Sequence, residues 1–250
     1  MPIRLRHIAQ DLAGLFYPPV CPVCGGMMGE GNVLICTYCR NEIPLTFFCA
    51  QEHNSVRERL WELQLPVVNA ASFFFFVHGS GFRELVHTFK YRGGWKLARE
   101  MGEWFGAEIA AGGIYSDIDV IVPVPLHIRK RLRRGYNQAE YIAEGLASAL
   151  GRPVDLHSVR RRVHNKSQTL SDRSKRWDNV AGIFDVRRPE ALAGKHILLV
   201  DDVLTTGATL ISCGREILSQ VPDCRLSVAT LAVSRNELLS AYPVRMTRKR

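Results

Sequence analysis

Apolar and polar positions along this chain switch between two periods, and the switches outline its elements. Ile197-Leu198-Leu199-Val200 is an unbroken aliphatic run, which suits a strand buried on both faces of a parallel sheet. Leu210, Ile211, Gly214, Ile217 and Leu218 follow at helical spacing. Asp119 to Leu126 predicts a second buried strand, ended by prolines that cannot extend a sheet ladder. Ala139, Ile142, Ala143, Leu146 and Leu150 predict a helix that stops at Gly151. Phe73 to Val77 reads as a strand, Phe82 to Phe89 and about Lys96 to Ile109 as helices, and Phe184 with Val186 as a resumed strand pattern. Leu226 to Val233 supplies one more strand. Strand and helix signals alternate from about residue 70, so the expected class is α/β with a doubly wound, mostly parallel sheet. Upstream, Ile3, Leu5, Ile8, Leu12, Leu15 and Phe16 line one side of a short helix stopped at Pro18-Pro19, read as packing on its own domain. Gln51 to Leu65 is polar with scattered apolar residues and reads as a link.

Length and composition narrow the classes. A chain of 250 residues has room for one substantial domain plus a small one. Its densest apolar run, Phe73 to Val77, is far short of the roughly eighteen residues of a membrane span. Met1 to Gln10 carries basic residues but no continuous apolar core, so a secretory signal is not expected and the cytoplasm is the expected compartment. The formal charge of +9 implies attraction to polyanions, either a small, heavily phosphorylated substrate or nucleic acid. Charge alone does not choose between them. It is concentrated in Arg129 to Arg134, Arg160 to Arg162, around Arg173 to Arg176, and in the tail Arg245 to Arg250, which reads as a solvated end.

Four of the seven cysteines form two Cys-x-x-Cys pairs, Cys21/Cys24 and Cys36/Cys39, eleven residues apart. That spacing supplies four thiolates for a closed, structural zinc site. Gly25-Gly26 permits the tight knuckle that turns backbone N–H groups towards sulfur. Redox pairing and unliganded thiols are the competing readings. Cys49, Cys213 and Cys224 read as packing residues.

The chemistry concentrates where predicted strands end. After Val200 come Asp201 and Asp202, then Leu204-Thr205-Thr206-Gly207-Ala208-Thr209 at the start of the next helix. Free N–H groups at a helix start favour phosphate, the threonines add hydroxyl donors, and Gly207 lets the backbone approach an anion without a Cβ in the way. The adjacent carboxylates suit vicinal sugar hydroxyls, directly or through Mg²⁺. Pro125, a basic loop with Arg129, Arg133 and Arg134, and then Gly135-Tyr136-Asn137-Gln138 make a second strand-to-helix anion site. Lys90 and Arg92 beside Gly93-Gly94 either reach a phosphate or favour a helix C-terminus. Arg160 to Val180, with Gln168 and Arg176, is polar and weakly periodic and suits a mobile loop beside the site. His127 and His164 read as polar loop residues, with proton transfer as the competing role.

The string Ile197 to Leu210 resembles the motif by which type I phosphoribosyltransferases bind phosphoribosyl pyrophosphate (PRPP). In order, the four cysteines, Phe89-Lys90-Tyr91-Arg92-Gly93, Val122-Pro123-Val124-Pro125-Leu126, Arg134-Gly135-Tyr136-Asn137-Gln138, Gln168…Arg176-x-x-Asn179-Val180 and the Asp201-Asp202 string resemble the ComF family, a zinc ribbon fused to such a domain. The resemblance implies a helix and ribbon over residues 1–60, a phosphoribosyltransferase-like domain over 61–240 and a basic tail over 241–250. It implies that Asp201 and Asp202 are the catalytic pair facing the ribose hydroxyls and Mg²⁺, and that Thr205, Thr206, Gly207, Ala208 and Thr209 wrap the 5′-phosphate. Lys90, Arg129, Arg133, Arg134, Gln168 and Arg176 are then candidates for the pyrophosphate and the closing loop. The implied activity is Mg²⁺-dependent phosphoribosyl transfer with pyrophosphate release to an unidentified acceptor. Because ComF-like proteins are associated with competence and DNA uptake, the alternative is a non-catalytic accessory that binds nucleic acid or senses PRPP. Single-stranded DNA or a DNA-uptake helicase would then be the partner. Nothing in the sequence marks the acceptor, and the oligomeric state, homo-oligomer included, stays open.

Overall fold

A computed structural model describes residues 20–28, 35–77, 79–90, 94–162 and 183–240. The expected N-terminal helix, the stretch bearing His164, Gln168 and Arg176, and the basic tail lie outside the described residues. Four parallel strands form the central sheet: β1 (Ala70–Phe76), β2 (Val120–Pro123), β5 (His196–Leu204) and β6 (Arg225–Ser234), in the order β1-β6-β5-β2. A separate antiparallel pair joins β3 (Val159–Arg161) to β4 (Phe184–Val186).

Apolar residues on both faces of these strands require cover on both sides, and the helices divide accordingly. On one face Ile121, Leu198, Val200 and Ala229 pack with α3 (Gly81–Lys90), α4 (Trp95–Gly112) and α6 (Gln138–Leu150) through Phe89, Met101, Phe105 and Ile142. On the other, Val120, Val122, Ile197, Leu199 and Val228 pack with α2 (Ser55–Glu62) and α8 (Ala208–Gln220) through Leu60, Leu210 and Ile217, and with Val159 and Phe184 of the β3–β4 pair. The sheet is doubly wound, as its continuous hydrophobic runs predict. Among the described residues no helix is long and apolar enough to cross a membrane.

Helices α4 and α6 make the most extensive helix pairing, and glycine is what lets them approach. A Cβ on Gly145 would stand 2.0 Å from the Arg99 carbonyl oxygen, and one on Gly102 would stand 2.4 Å from that of Ile142. Backbone occupies both positions, so neither can move aside cheaply.

The cysteine-rich segment closes on the same sheet. Helix α1 (Thr37–Asn41) leads into Ile43-Pro44-Leu45-Thr46, which runs antiparallel to the outer edge of β1 through Thr46 N–H to the Phe73 carbonyl (3.0 Å) and Phe75 N–H to the Pro44 carbonyl (2.8 Å). Cys21, Ile35, Cys39 and Ile43 are buried in the same core as α4 and α6. The edge that β1 would otherwise expose is thereby capped.

Three local expectations are corrected. Gln51 to Leu65 is not merely a link: α2 occupies Ser55–Glu62 and fully buries Val56 and Leu60. Asn54 caps it, accepting from the N–H groups of Val56 and Arg57 at 3.1 Å, and its Nδ2 donates to the Ala70 carbonyl at 2.8 Å. The basic stretch after Pro125 is a helix, α5 (Ile128–Arg134), capped by His127 and ended by Gly135 at φ 82°. Arg160 and Arg161 belong to β3, where Arg160 and Arg162 both pair with Asp185 (2.8 and 2.9 Å). The short helix α7 (Pro189–Leu192) then precedes β5, and α9 (Arg235–Ser240) follows β6.

Candidate functional site

The C-terminal ends of β2 and β5 open into one cleft of about 320 Å³. Its walls come from Val124 to Leu126 after β2, Lys130 and Arg134 of α5, Asn137 and Gln138 at the start of α6, Arg161 of β3, and Asp201, Asp202, Val203, Thr205 and Thr209. Ligands gather at this edge of α/β sheets because several strand-to-helix turns converge there.

Strand β5 continues through both acids to Leu204, four residues further than the aliphatic run suggests. Asp201 pairs in register with Thr230, and its Oδ1 accepts from the Asp202 N–H at 2.9 Å. The carboxylates are thus half-buried on a sheet strand and not on a free turn. Beyond them Thr205 to Thr209 wraps a smaller concavity of about 30 Å³ at the start of α8, lined also by Asp201. Gly207 is the α8 N-cap at φ 80° and gives no side-chain cap; the Thr206 hydroxyl reaches the Ala208 N–H at 3.5 Å. The reason for glycine differs from the expected one. A Cβ there would point towards Ile211, Leu204 and Leu63 at 3.2 to 3.6 Å, into apolar packing, so the positive φ decides the residue.

The opposite wall is cationic and tied to the sheet. Val124 N–H donates to the Val200 carbonyl (2.8 Å), and Asn137 Nδ2 donates to the Val124 carbonyl (3.1 Å) while its Oδ1 caps Ala139 (3.3 Å). Arg134 donates to Gln138 Oε1 at 3.0 Å. Tyr136 packs behind them, its hydroxyl donating to the Phe89 carbonyl at 2.7 Å. Burial, with the nearby charges of Arg161, Arg129 and Lys130, pushes His127 below the ordinary imidazole range, so it is neutral and caps α5 through Nδ1. Burial lowers Arg161, and the charge of Asp201 opposes that; the guanidinium also lies 5.4 Å over the Phe184 ring.

Of the residues singled out from sequence, Asp201, Asp202, Thr205, Thr209 and Arg134 line the cleft, and Thr206, Gly207 and Ala208 line the adjoining concavity. Arg129 and Arg133 are exposed on α5 and are not among the lining residues. Lys90 closes α3, and Gln168 and Arg176 lie outside the described residues. Arg161 and Lys130 join the cleft without having been singled out. Arg161 sits in a run of three arginines, and the alternation of a β strand, which aims Arg161 opposite to its two neighbours, was the available signal.

The four paired cysteines converge as a second candidate centre, their sulfurs all within 4.8 Å of one another. Cys24 and Cys36 sulfurs stand 3.7 Å apart, close to the ~3.8 Å edge of a tetrahedron with ~2.3 Å zinc–sulfur arms. Gly25 takes φ 71°, and Cys36 N–H points at Cys21 Sγ (3.4 Å). Burial acts to raise Cys21, but N–H donors from Cys36, Cys24 and Val23 outweigh it and bring the thiol down to about 6. Burial and the adjacent sulfurs push Cys39 up. Four soft donors at this spacing can hold a zinc ion.

Comparison with known proteins agrees with this arrangement. The phosphoribosyl transferase domain model matches residues 136–249. Competence protein ComFC of Bacillus subtilis is 28% identical over 213 residues, covering 85% of this chain and 77% of its own length. DNA utilization protein YhgH of Escherichia coli K12 is 33% identical over 100 residues, 40% of this chain and 43% of its own. Competence protein F of Haemophilus influenzae is 34% identical over 93 residues, 37% and 41% of the two chains. Among solved structures, a glutamine PRPP amidotransferase from B. subtilis overlaps 57% of this chain and 30% of that one at 16% identity and a TM-score of 0.40, too loose a match to bear on function. With its cysteine cluster, its parallel sheet and the ordered motifs around one cleft, the chain carries a phosphoribosyl transferase domain and is similar to the ComF competence proteins.

Proposed function

We propose that the cleft binds PRPP with Mg²⁺ and that the protein acts as a phosphoribosyltransferase. One observation carries this reading: an acidic pair on β5 lines one cleft together with the Thr/Gly loop at the start of α8 and a cationic wall. A sugar with a phosphate at one end and a polyanionic group at the other matches that set of charges. In this reading Thr205 to Thr209 hold the 5′-phosphate through helix-start N–H groups and hydroxyls. Asp201 and Asp202 hold the ribose hydroxyls and the cation, and Lys130, Arg134 and Arg161 meet the pyrophosphate. Bound Mg²⁺ supplies charge stabilisation of the departing pyrophosphate. The chain's own part is to orient C1 towards an acceptor and neutralise developing charge in a site shielded from water. No side chain is required as a covalent nucleophile. In the same reading the four cysteines hold structural zinc.

The test is calorimetric titration with PRPP and Mg²⁺ of wild type and of Asp201→Ala/Asp202→Ala, the variant first shown to be folded. Wild-type binding that disappears in the double variant is expected; unchanged affinity removes the assignment. Pyrophosphate release across candidate nucleophiles then tests transfer.

A non-catalytic role in handling DNA is the second reading. The competence and DNA-utilization names of the relatives favour it, together with exposed Arg129, Lys130, Arg131 and Arg133 on α5. Phosphate contacts would make single-stranded DNA binding steeply salt-dependent. Titration at two salt concentrations decides it, and absence of binding at the lower one eliminates direct contact.

A further inference from the structure

The residue that faces the cleft from the first turn of α6 is Gln138, and its chemistry is unusual for its position. An arginine beside a helix start is readily met by a carboxylate, as Arg131 of α5 is met by Glu140 of α6 at 3.0 Å. Arg134 instead donates to the neutral Oε1 of Gln138, also at 3.0 Å. A carboxylate would hold the guanidinium more strongly while opposing its charge. A carboxamide holds it without doing so. That bond also fixes which way the amide points, oxygen to Arg134 and Nε2 to the other side.

Gln138 is 2% exposed, lines the cleft, and its Nε2 has no hydrogen-bond partner among the described residues. A buried amide donor left in this state is costly, and native structures keep few of them away from functional sites. The start of α6, a helix of thirteen residues, lies on the same wall and adds its own positive end. Asn137, one residue earlier, spends both ends of its side chain on the Val124 carbonyl and the Ala139 N–H, so the wall is rigid where Gln138 projects from it.

We propose that Gln138 is a specificity-determining positioning residue: it holds Arg134 on the cleft wall through a neutral acceptor and offers Nε2 as a further donor, so that this wall selects a polyanionic arm. The inference rests on the PRPP reading of the cleft and assigns to Gln138 the discrimination between a pyrophosphate-bearing ribose phosphate and one lacking that group. Reaching Nε2 requires a small shift of the side chains over it. The Arg134 contact requires none.

Two variants separate these contributions. Gln138→Glu keeps an acceptor for Arg134 but places a negative charge in the wall; Gln138→Met keeps the length and removes both polar ends. Titrations with Mg²⁺–PRPP and with Mg²⁺–ribose 5-phosphate, on variants whose melting curves match wild type, give the readout. Gln138→Glu is expected to weaken PRPP by roughly tenfold or more, from like charge within several ångströms at a partly buried site, and to leave ribose 5-phosphate within about twofold. Gln138→Met is expected to fall in the same direction by roughly fivefold to tenfold for PRPP only. Wild-type PRPP affinity in Gln138→Glu overturns the proposal, as does an equal loss for both ligands, which marks a purely structural role. Failure of the wild-type chain to bind either ligand is the separate result that defeats the PRPP reading itself.

Discussion

Asn137 joins the two halves of the cleft wall, and its removal should be felt in both. Its side chain is 3% exposed; Oδ1 caps α6 at Ala139 and Nδ2 satisfies the carbonyl of Val124, itself 4% exposed. Asn137→Ala removes a helix cap, costing about 1 kcal/mol, and strands a buried carbonyl, costing about 1–2 kcal/mol more. The expected loss is therefore roughly 2–3 kcal/mol, or roughly 5–10 °C in melting temperature for a chain of this size. Asn137→Asp dissects the sum. The carboxylate keeps the cap and gains ~0.3–1 kcal/mol from the helix start, but it cannot donate to Val124 and it faces Glu140, whose Oε1 lies 3.4 Å from Asn137 Nδ2. It should fall between wild type and alanine, about 1–2 kcal/mol below wild type. Urea unfolding followed by tryptophan fluorescence, with calorimetry for Mg²⁺–PRPP, measures both consequences. An aspartate variant as stable as wild type would falsify the Val124 link, and an alanine variant within about 0.5 kcal/mol of wild type would refute the wall's dependence on Asn137 altogether.

Two further outcomes follow from the structure. The purified chain should carry roughly one zinc per molecule by elemental analysis. Because Cys21 and Cys39 are buried in the core shared with α4 and α6, chelation or Cys39→Ser should lower the melting temperature of the whole chain; a metal-free chain that melts like wild type would contradict this. Stability should also decline as pH falls below about 6.5, through His196. This imidazole is fully buried at the start of β5, with Nε2 2.8 Å from Ser227 Oγ and Nδ1 3.0 Å from Asp117; its backbone N–H donates to Asp119. Burial depresses it, Asp117 and Asp119 oppose that, and Arg225 adds to the depression. A depressed folded pKa means the unfolded chain takes the proton first, so this stability is complete above the unfolded value and lost as pH falls through the folded one. Burial acts to raise Asp117, but His196 and the Arg225 guanidinium at 2.9 Å outweigh it and hold it low, so its own loss appears at more acid pH. His196→Gln should flatten the profile between pH 7 and 5, and an unchanged slope would sink the assignment.

What could be read from the chain follows from which interactions are local. Ile197 to Val200 announced a strand because four adjacent aliphatic residues can be buried only where both faces are covered. The two cysteine pairs announced a cluster because their spacing brings four sulfurs together through one knuckle and one short helix. Less local features escaped. The link before β1 hides a helix whose signal, Asn54 ahead of Val56 and Leu60, is only two turns long and is stabilised chiefly by packing against the sheet. The six-residue basic run reads as a loop because nothing in it alternates, yet His127 and Gly135 cap it into α5.

The sequence by itself determined the parallel α/β class, the Thr/Gly loop after β5 and the cysteine cluster, since each is written in contiguous residues whose chemistry acts over one or two turns. Tertiary structure decided which of many arginines line the cleft. Arg134 and Arg161 face the acids, Arg160 and Arg162 are spent on Asp185, and Arg129 and Arg133 stay in solvent. Identical side chains a residue apart differ only in the direction that a helix turn or a strand pleat gives them, and that direction is set when strands β2 and β5 come to lie side by side.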